Sequence, residues 1–188
     1  MTVADKDLTL KERKAIWGML SALGRIPSPV SETAPEEIHL SPEERLAAFL
    51  LEDTRLMILS QGWHFNAVET TVSLNTNGEG EVPANTLSLI RSQPMARLQG
   101  DKVISVKGPP YAESVLLSLA VEISFNRLPN LCLRYVVVKA TRLLQDRLMT
   151  SPTLHAFTER EEMEAYVHLK MWEAEAQAPN MLTNLSMR

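Results

Sequence analysis

The stretch Gln61-Gly62-Trp63-His64-Phe65-Asn66 separates two styles of sequence in this chain. Upstream, from Ser41 to Ser60, apolar residues recur at helical spacing; downstream, the period drops towards two. Gly62 can take a positive φ at no steric cost, which makes it a natural helix stop. Trp63 and Phe65 follow at strand spacing, so an extended segment would turn both rings to one side. Gly62, Trp63, His64, Phe65 and Asn66 therefore read as a structural seam, a hinge whose aromatics plug the join between a helical layer and a sheet.

Moving back towards the N-terminus, Ser41-Pro42-Glu43-Glu44 is a capping box with proline at the first helical position, where its missing donor costs nothing. The helix it opens carries Leu46, Phe49, Leu50 and Met57 on one stripe with Leu56 and Leu59 alongside, leaving Glu43, Glu52 and Arg55 for water. Thr9-Leu10-Lys11-Glu12 is a second capping box. Its helix places Ile16, Leu20 and Leu23 on one face, with Ala15, Met19 and Ala22 beside them, and Gly24 ends it. Between the two helices, Arg25 to Leu40 holds Pro27, Pro29 and Pro35 and reads as a surface loop.

Downstream, Thr71 to Leu74 alternates and Asn75 to Gly80 is a turn rich in residues that tolerate positive φ. Leu87 to Leu89 and Lys102 to Lys107 are strand-like. Leu117, Leu119, Val121, Ile123 and Phe125 alternate with small or polar residues. Short strands joined by turns, with no helices between them, imply antiparallel pairing. Pro129 then opens a helix with Leu133, Val136, Val137, Ala140 and Leu144 on one face. A last helix, with a capping box at Thr158 and Glu161, carries Ala165, Leu169, Trp172 and Ala176. The expected fold is α+β. Residues 1–65 and 126–188 form a helical bundle, and 66–125 form an antiparallel β region inserted between its halves.

Composition narrows the function. Of the 188 residues, 45% are hydrophobic and 22% charged, the balance of a soluble globular protein. No apolar run approaches the ~18 residues of a membrane span, and the charged N-terminus lacks the apolar core of a signal peptide. Cys132 stands alone, so neither an internal disulfide nor a cysteine zinc site is available, and it reads as a small core residue. A net charge of −4 without a basic run disfavours a grip on nucleic acid and would let DNA pass without sticking. No phosphate loop, nucleophile elbow or His-Glu-x-x-His motif is present. Glu164 and His168 lie one turn apart, but a lone helical pair reads as a solvated surface pair rather than as metal ligands. No catalytic, cofactor-binding or metal-binding residues are expected, and no cofactor.

A resemblance adds what periodicity cannot. The first helix ends Met19-Leu20-Ser21-Ala22-Leu23-Gly24-Arg25-Ile26-Pro27. The second runs into Gly62-Trp63-His64-Phe65-Asn66, and Gly80, Val82, Pro83, Asn85 and Leu87 lead into the strands. Leu128-Pro129 opens the third helix, which holds Ala140 and Gln145-Asp146-Arg147, and Glu161, Glu162 and Ala165 stand in the last. In this order, across nearly the whole chain, these elements resemble the tail tubular protein A family of short-tailed bacteriophages, the adaptor or gatekeeper ring. Gly108-Pro109-Pro110-Tyr111 departs from the family's less rigid approach to the tyrosine. The resemblance implies a non-enzymatic virion protein made in the host cytoplasm. It would be one subunit of a twelve-membered homo-oligomeric ring between the portal protein and the tail nozzle protein, with DNA passing through the lumen and no membrane partner. Two other classes remain: a tail-associated glycan hydrolase, which needs two carboxylates lining a pocket, and a host-side helical scaffold, which would stay monomeric.

The segment after Pro179 holds Met181, Leu182, Leu185 and Met187, four apolar side chains in a stretch where a polar, frayed end is the rule. They read as an interaction segment that orders on a neighbouring subunit or on the portal. Deleting the residues after Pro179 is expected to leave the melting temperature nearly unchanged and to abolish assembly onto the portal. A truncated chain that melts early and still assembles would place the segment in its own core.

Overall fold

The computed structural model describes residues 8–26, 40–109, 111–149 and 152–177. Helix α1 spans Leu10–Ala22 and α2 spans Pro42–Leu59. Six strands follow: β1 Ala67–Ser73, β2 Glu79–Glu81, β3 Thr86–Gln93, β4 Ala96–Gln99, β5 Lys102–Ser105 and β6 Ser114–Val121. A short 3-10 turn at Phe125–Arg127 leads to α3, Asn130–Leu148, and α4, Pro152–Gln177. The fold is α+β, with antiparallel sheets between N-terminal and C-terminal helices. The chain divides into two compact units, residues 1–55 with 124–188, and residues 56–123.

In the first unit, two of the three expected caps form. Thr9 and Glu12 exchange the two bonds of a capping box. Ser41 N–H donates to Glu44 Oε2 at 2.7 Å while Glu44 N–H donates to Ser41 Oγ at 3.2 Å. Ile16, Met19, Leu20 and Leu23 are buried on α1. On α2 the buried stripe is rotated from the expected one. Ala47, Ala48, Leu51 and Thr54 are inside, whereas Phe49 and Met57 are exposed. Arg55, expected in water, is buried, with Nη2 2.8 Å from Glu52 Oε1. Small residues stand at 47 and 48 on the inward side, while the larger Phe49 is left outside. Helix α3 lies against both α1 and α4. It buries Cys132, Tyr135, Val136, Ala140, Leu144 and Gln145. Helix α4 starts at Pro152, so Thr158 is no cap; its hydroxyl donates within the helix to the carbonyl of His155 at 3.1 Å. Ala165 and Leu169 are buried, while Ala176 is exposed.

The second unit holds two three-stranded antiparallel sheets, β1-β6-β3 and β2-β5-β4. Val82, Val103, Val115, Leu117 and Leu119 form their core, with Val72, Leu89 and Leu98 packed against it. β6 begins and ends earlier than the alternation suggested: Phe125, expected at its end, sits in the 3-10 turn. Gly80 is where β2 draws in beside β1. A Cβ there would stand 2.8 Å from the Ser73 carbonyl oxygen, too close for any side chain.

The last turn of α2 belongs to this second unit, and the residues after it explain why. Gly62 has φ 73°, and Trp63 to Asn66 form a compact turn rather than the expected extended segment. The Trp63 carbonyl accepts from Asn66 N–H at 2.9 Å and from Ala67 N–H at 2.8 Å, so pairing begins only at Ala67. Trp63 is buried and donates its indole N–H to the Ile58 carbonyl at 2.7 Å. Asn66 is buried too. Its Oδ1 accepts from Trp63 N–H at 2.8 Å, and its Nδ2 donates to the Leu59 carbonyl at 2.8 Å and the Val121 carbonyl at 2.9 Å. One amide thus joins the end of α2 to the end of β6.

Trp63→Ala is expected to cost about 3–5 kcal/mol as a large core deletion. Asn66→Asp keeps the size but turns two donors into an acceptor facing two carbonyls, and is expected to cost about 2–4 kcal/mol. Urea unfolding of both variants measures this; wild-type midpoints would show that neither residue holds the turn.

Candidate interaction surfaces

The structure brings the seam residues Gly62, Trp63, His64, Phe65 and Asn66 into one turn. Trp63 and Asn66 point inward, while His64 and Phe65 are half-buried and meet edge to face at 5.6 Å. Met181, Leu182, Leu185 and Met187 lie outside the described residues. In the departing loop, Tyr111 is half-buried and its ring lies against Gly78.

The first unit carries a charged network that the sequence reading missed. Glu162 of α4 accepts from Lys139 Nζ at 2.7 Å and also from Arg142 Nε, both on α3. Arg142 reaches Asp146 at 3.2 Å, and Asp146 meets His155 Nδ1 at 2.8 Å. Tyr135 and Tyr166 pack beside it at 5.3 Å. Burial raises the Glu162 carboxyl, but hydrogen bonds from Lys139 and Arg142 outweigh it and hold the net value below the ordinary 4.5. Burial likewise lowers Lys139 and Arg142, yet their bonds to Glu162 leave both raised. The signal in the sequence was a helical 139/142 pair whose partner was 20 residues away on the next helix, beyond the reach of any local spacing rule.

A groove of about 710 Å³ runs along the second unit, lined by Thr70 to Ser73, Asn75, Glu79 to Pro83 and Lys102. Two carboxylates, Glu79 and Glu81, lie on it. Glu79 is ion-paired with Lys102 Nζ at 3.2 Å on an exposed surface, and Glu81 is exposed. Cys132 is buried, and burial pushes its thiol up to about 12, so it is a packing residue rather than a thiolate nucleophile at neutral pH. Among the described residues, no three His, Cys, Asp or Glu side chains converge as a metal site, and Glu164 and His168 are both exposed.

Among the described residues, what the surface offers is exposed apolar area. Met163, Val167 and Met171 recur every four residues along the outer face of α4, and Leu10 and Trp17 are exposed on α1. Met95 and Val106 stand out at the turn joining β3 to β4 and just beyond β5, where Val106 N–H donates to the Met95 carbonyl at 3.1 Å. Scattered single apolar residues need no explanation, but a helical row does.

Comparison with known families supplies the context for these faces. The tail tubular protein family matches residues 14–179, from within α1 to just past the end of α4. The chain belongs to the tail tubular protein family. Among the curated proteins, none matches it. As a tail tubular protein it is a structural component of the phage tail.

The charged network generates a pH prediction for this tail tubular protein. Because Glu162 titrates lower when folded, its contribution is complete above the unfolded carboxylate value of 4.5 and is lost as pH falls through the folded value. Glu162→Gln is expected to cost about 1–3 kcal/mol at pH 7 by stranding Lys139 and Arg142. The gap to wild type should close as pH drops below 4.5. A gap independent of pH would mean that Glu162 acts through packing alone.

Proposed function

We propose that the chain is one subunit of a ring-shaped adaptor, of twelve copies, that joins the phage portal to the tail nozzle and forms part of the DNA ejection channel. The observation that carries this reading is the family match over residues 14–179, which spans both units of the fold. Supporting it are the apolar faces on α1 and α4 and a net charge of −4, which suits a conduit that must not hold DNA. A closed ring of identical subunits needs a head-to-tail interface, with two different patches on each copy. Met181, Leu182, Leu185 and Met187 dock on a neighbouring subunit or on the portal in this reading. The role is structural rather than catalytic, and the protein is made in the host cytoplasm before joining the virion tail.

Electron microscopy of the purified chain mixed with its portal tests this. The expected result is a ring of twelve copies coaxial with the portal and open along its axis. Binding of isolated single copies to the outside of the portal, or no binding, would overturn it.

A further inference from the structure

Strands β1 and β2 are consecutive and joined by a tight turn, in which Asn75 N–H donates to the Glu79 carbonyl at 2.8 Å, yet they do not pair with each other. β1 pairs with β6, and β2 with β5. The two strands touch at the turn end, where Gly80 meets Ser73. The groove of about 710 Å³ lies between them, from Thr70 to Ser73 on one side and from Glu79 to Pro83 on the other. Strands joined by so short a turn ordinarily close their own ladder. This pair is left open.

The ladders on either side show which backbone groups face the gap. The Asn66 carbonyl accepts from Val121 N–H at 2.9 Å, and Leu74 N–H donates to the Glu113 carbonyl at 2.9 Å. With the register unbroken between them, the even-numbered residues of β1 bond to β6, and Thr71 turns its N–H and C=O the other way. On β2, the Gly78 carbonyl accepts from Ser105 N–H at 2.9 Å and Val82 N–H donates to the Asp101 carbonyl at 3.0 Å, which leaves Glu81 facing the gap. Two strand edges thus front one groove, and such edges are templates for a further strand. Side chains alternate as well. Val82 belongs to the sheet core and Val72 packs against it, while Thr71 and Glu81 are exposed. A strand laid here needs an apolar inner face and a polar outer one.

The chain carries one such strand. Beyond Gln177, Met181, Thr183, Leu185 and Met187 alternate with Leu182, Asn184, Ser186 and Arg188. The first set is apolar but for a threonine, a residue that strands favour, and the second is polar apart from Leu182. Residues 181–187 match the seven residues of β1, a length of about 23 Å at 3.3 Å per residue. Groove and segment are different parts of the chain, so passing the segment to the next copy makes a head-to-tail contact, the type a closed ring requires.

We propose that residues 181–187 of one copy add as a strand in the groove between β1 and β2 of the next. The added strand bonds to Thr71 on one side and Glu81 on the other, and turns Met181, Leu185 and Met187 inward towards Val72 and Val82. This rests on the reading above in which the segment docks on a neighbouring subunit or on the portal; it chooses the neighbour and names the groove.

Disulfide trapping in full-length chains assembled on the portal tests the exchange. Cys132 is buried and does not compete. Thr71→Cys is mixed one to one with Leu182→Cys, Asn184→Cys or Ser186→Cys, the three outward positions of the segment, and oxidised. A covalent dimer is expected from at least one mixture and from no variant alone. In wild-type protein the amides of Thr71 and Glu81 should exchange hydrogen roughly tenfold or more slowly in the assembly than in free chains. A ring on the portal that yields no covalent dimer from any mixture would overturn the groove while leaving the ring. Thr71→Cys and Ser186→Cys placed in one chain and closing within a monomer would overturn the exchange between copies. Chains that form no ring on the portal would remove the proposed ring, and the exchange with it.

Discussion

Three hydrogen bonds from one side chain decide how the strands join the second helix. Asn66 accepts from Trp63 and donates to Leu59 and Val121, so the last carbonyls of α2 and the end of β6 are held by the same amide. A helix end leaves orphan carbonyls that must find donors. Here the donor is a buried asparagine rather than water, and the indole N–H of Trp63 serves the neighbouring Ile58 carbonyl in the same way. Both satisfied carbonyls sit on the final turn of α2, which is why that turn groups with the strands. Once this turn is closed, β1 can start only at Ala67, and its seven-residue pairing with β6 from Ala67 to Ser73 follows.

In the helical unit the corresponding constraint is electrostatic. Glu162 is nearly buried and stays ionised because Lys139 and Arg142 supply hydrogen bonds as well as charge. Such a cluster adds modest net stability compared with an apolar core, yet it fixes which turn of α4 meets which turn of α3, since a shift along the helix would leave buried charges unpaired. On the same helix Ala165 and Leu169 face inward and Met163, Val167 and Met171 outward.

The remaining features suit a structural protein of the phage tail. The groove along β1 and β2 is polar and its carboxylates are solvated, the thiol is buried, and the conspicuous surface is apolar and helical. Tail parts need faces that dock repeatedly and rigidly. Methionine at two of the three row positions on α4 suits such contacts, since its unbranched, polarisable side chain adapts to the surface it meets.

Local signals in the sequence determined a good deal by themselves. The capping boxes at Thr9 and Ser41, the stop at Gly62, the antiparallel strands, the α+β class and the buried cysteine follow from short-range rules that act within four residues or at period two. The family was also legible, because its elements stand in a recognisable order along the chain. Other features were decided only in three dimensions. The turn at Trp63 to Asn66 looked extended because alternation cannot register an asparagine whose partners are 7 and 55 residues away. On α2 the inward face holds small Ala47 and Ala48 while the larger Phe49 stays out, which spacing and residue size alone do not indicate. Glu162 found its partners on another helix. Periodicity reports which residues share a face, but the burial of that face, and the pairing of buried charge, are settled by contacts between segments far apart in the chain.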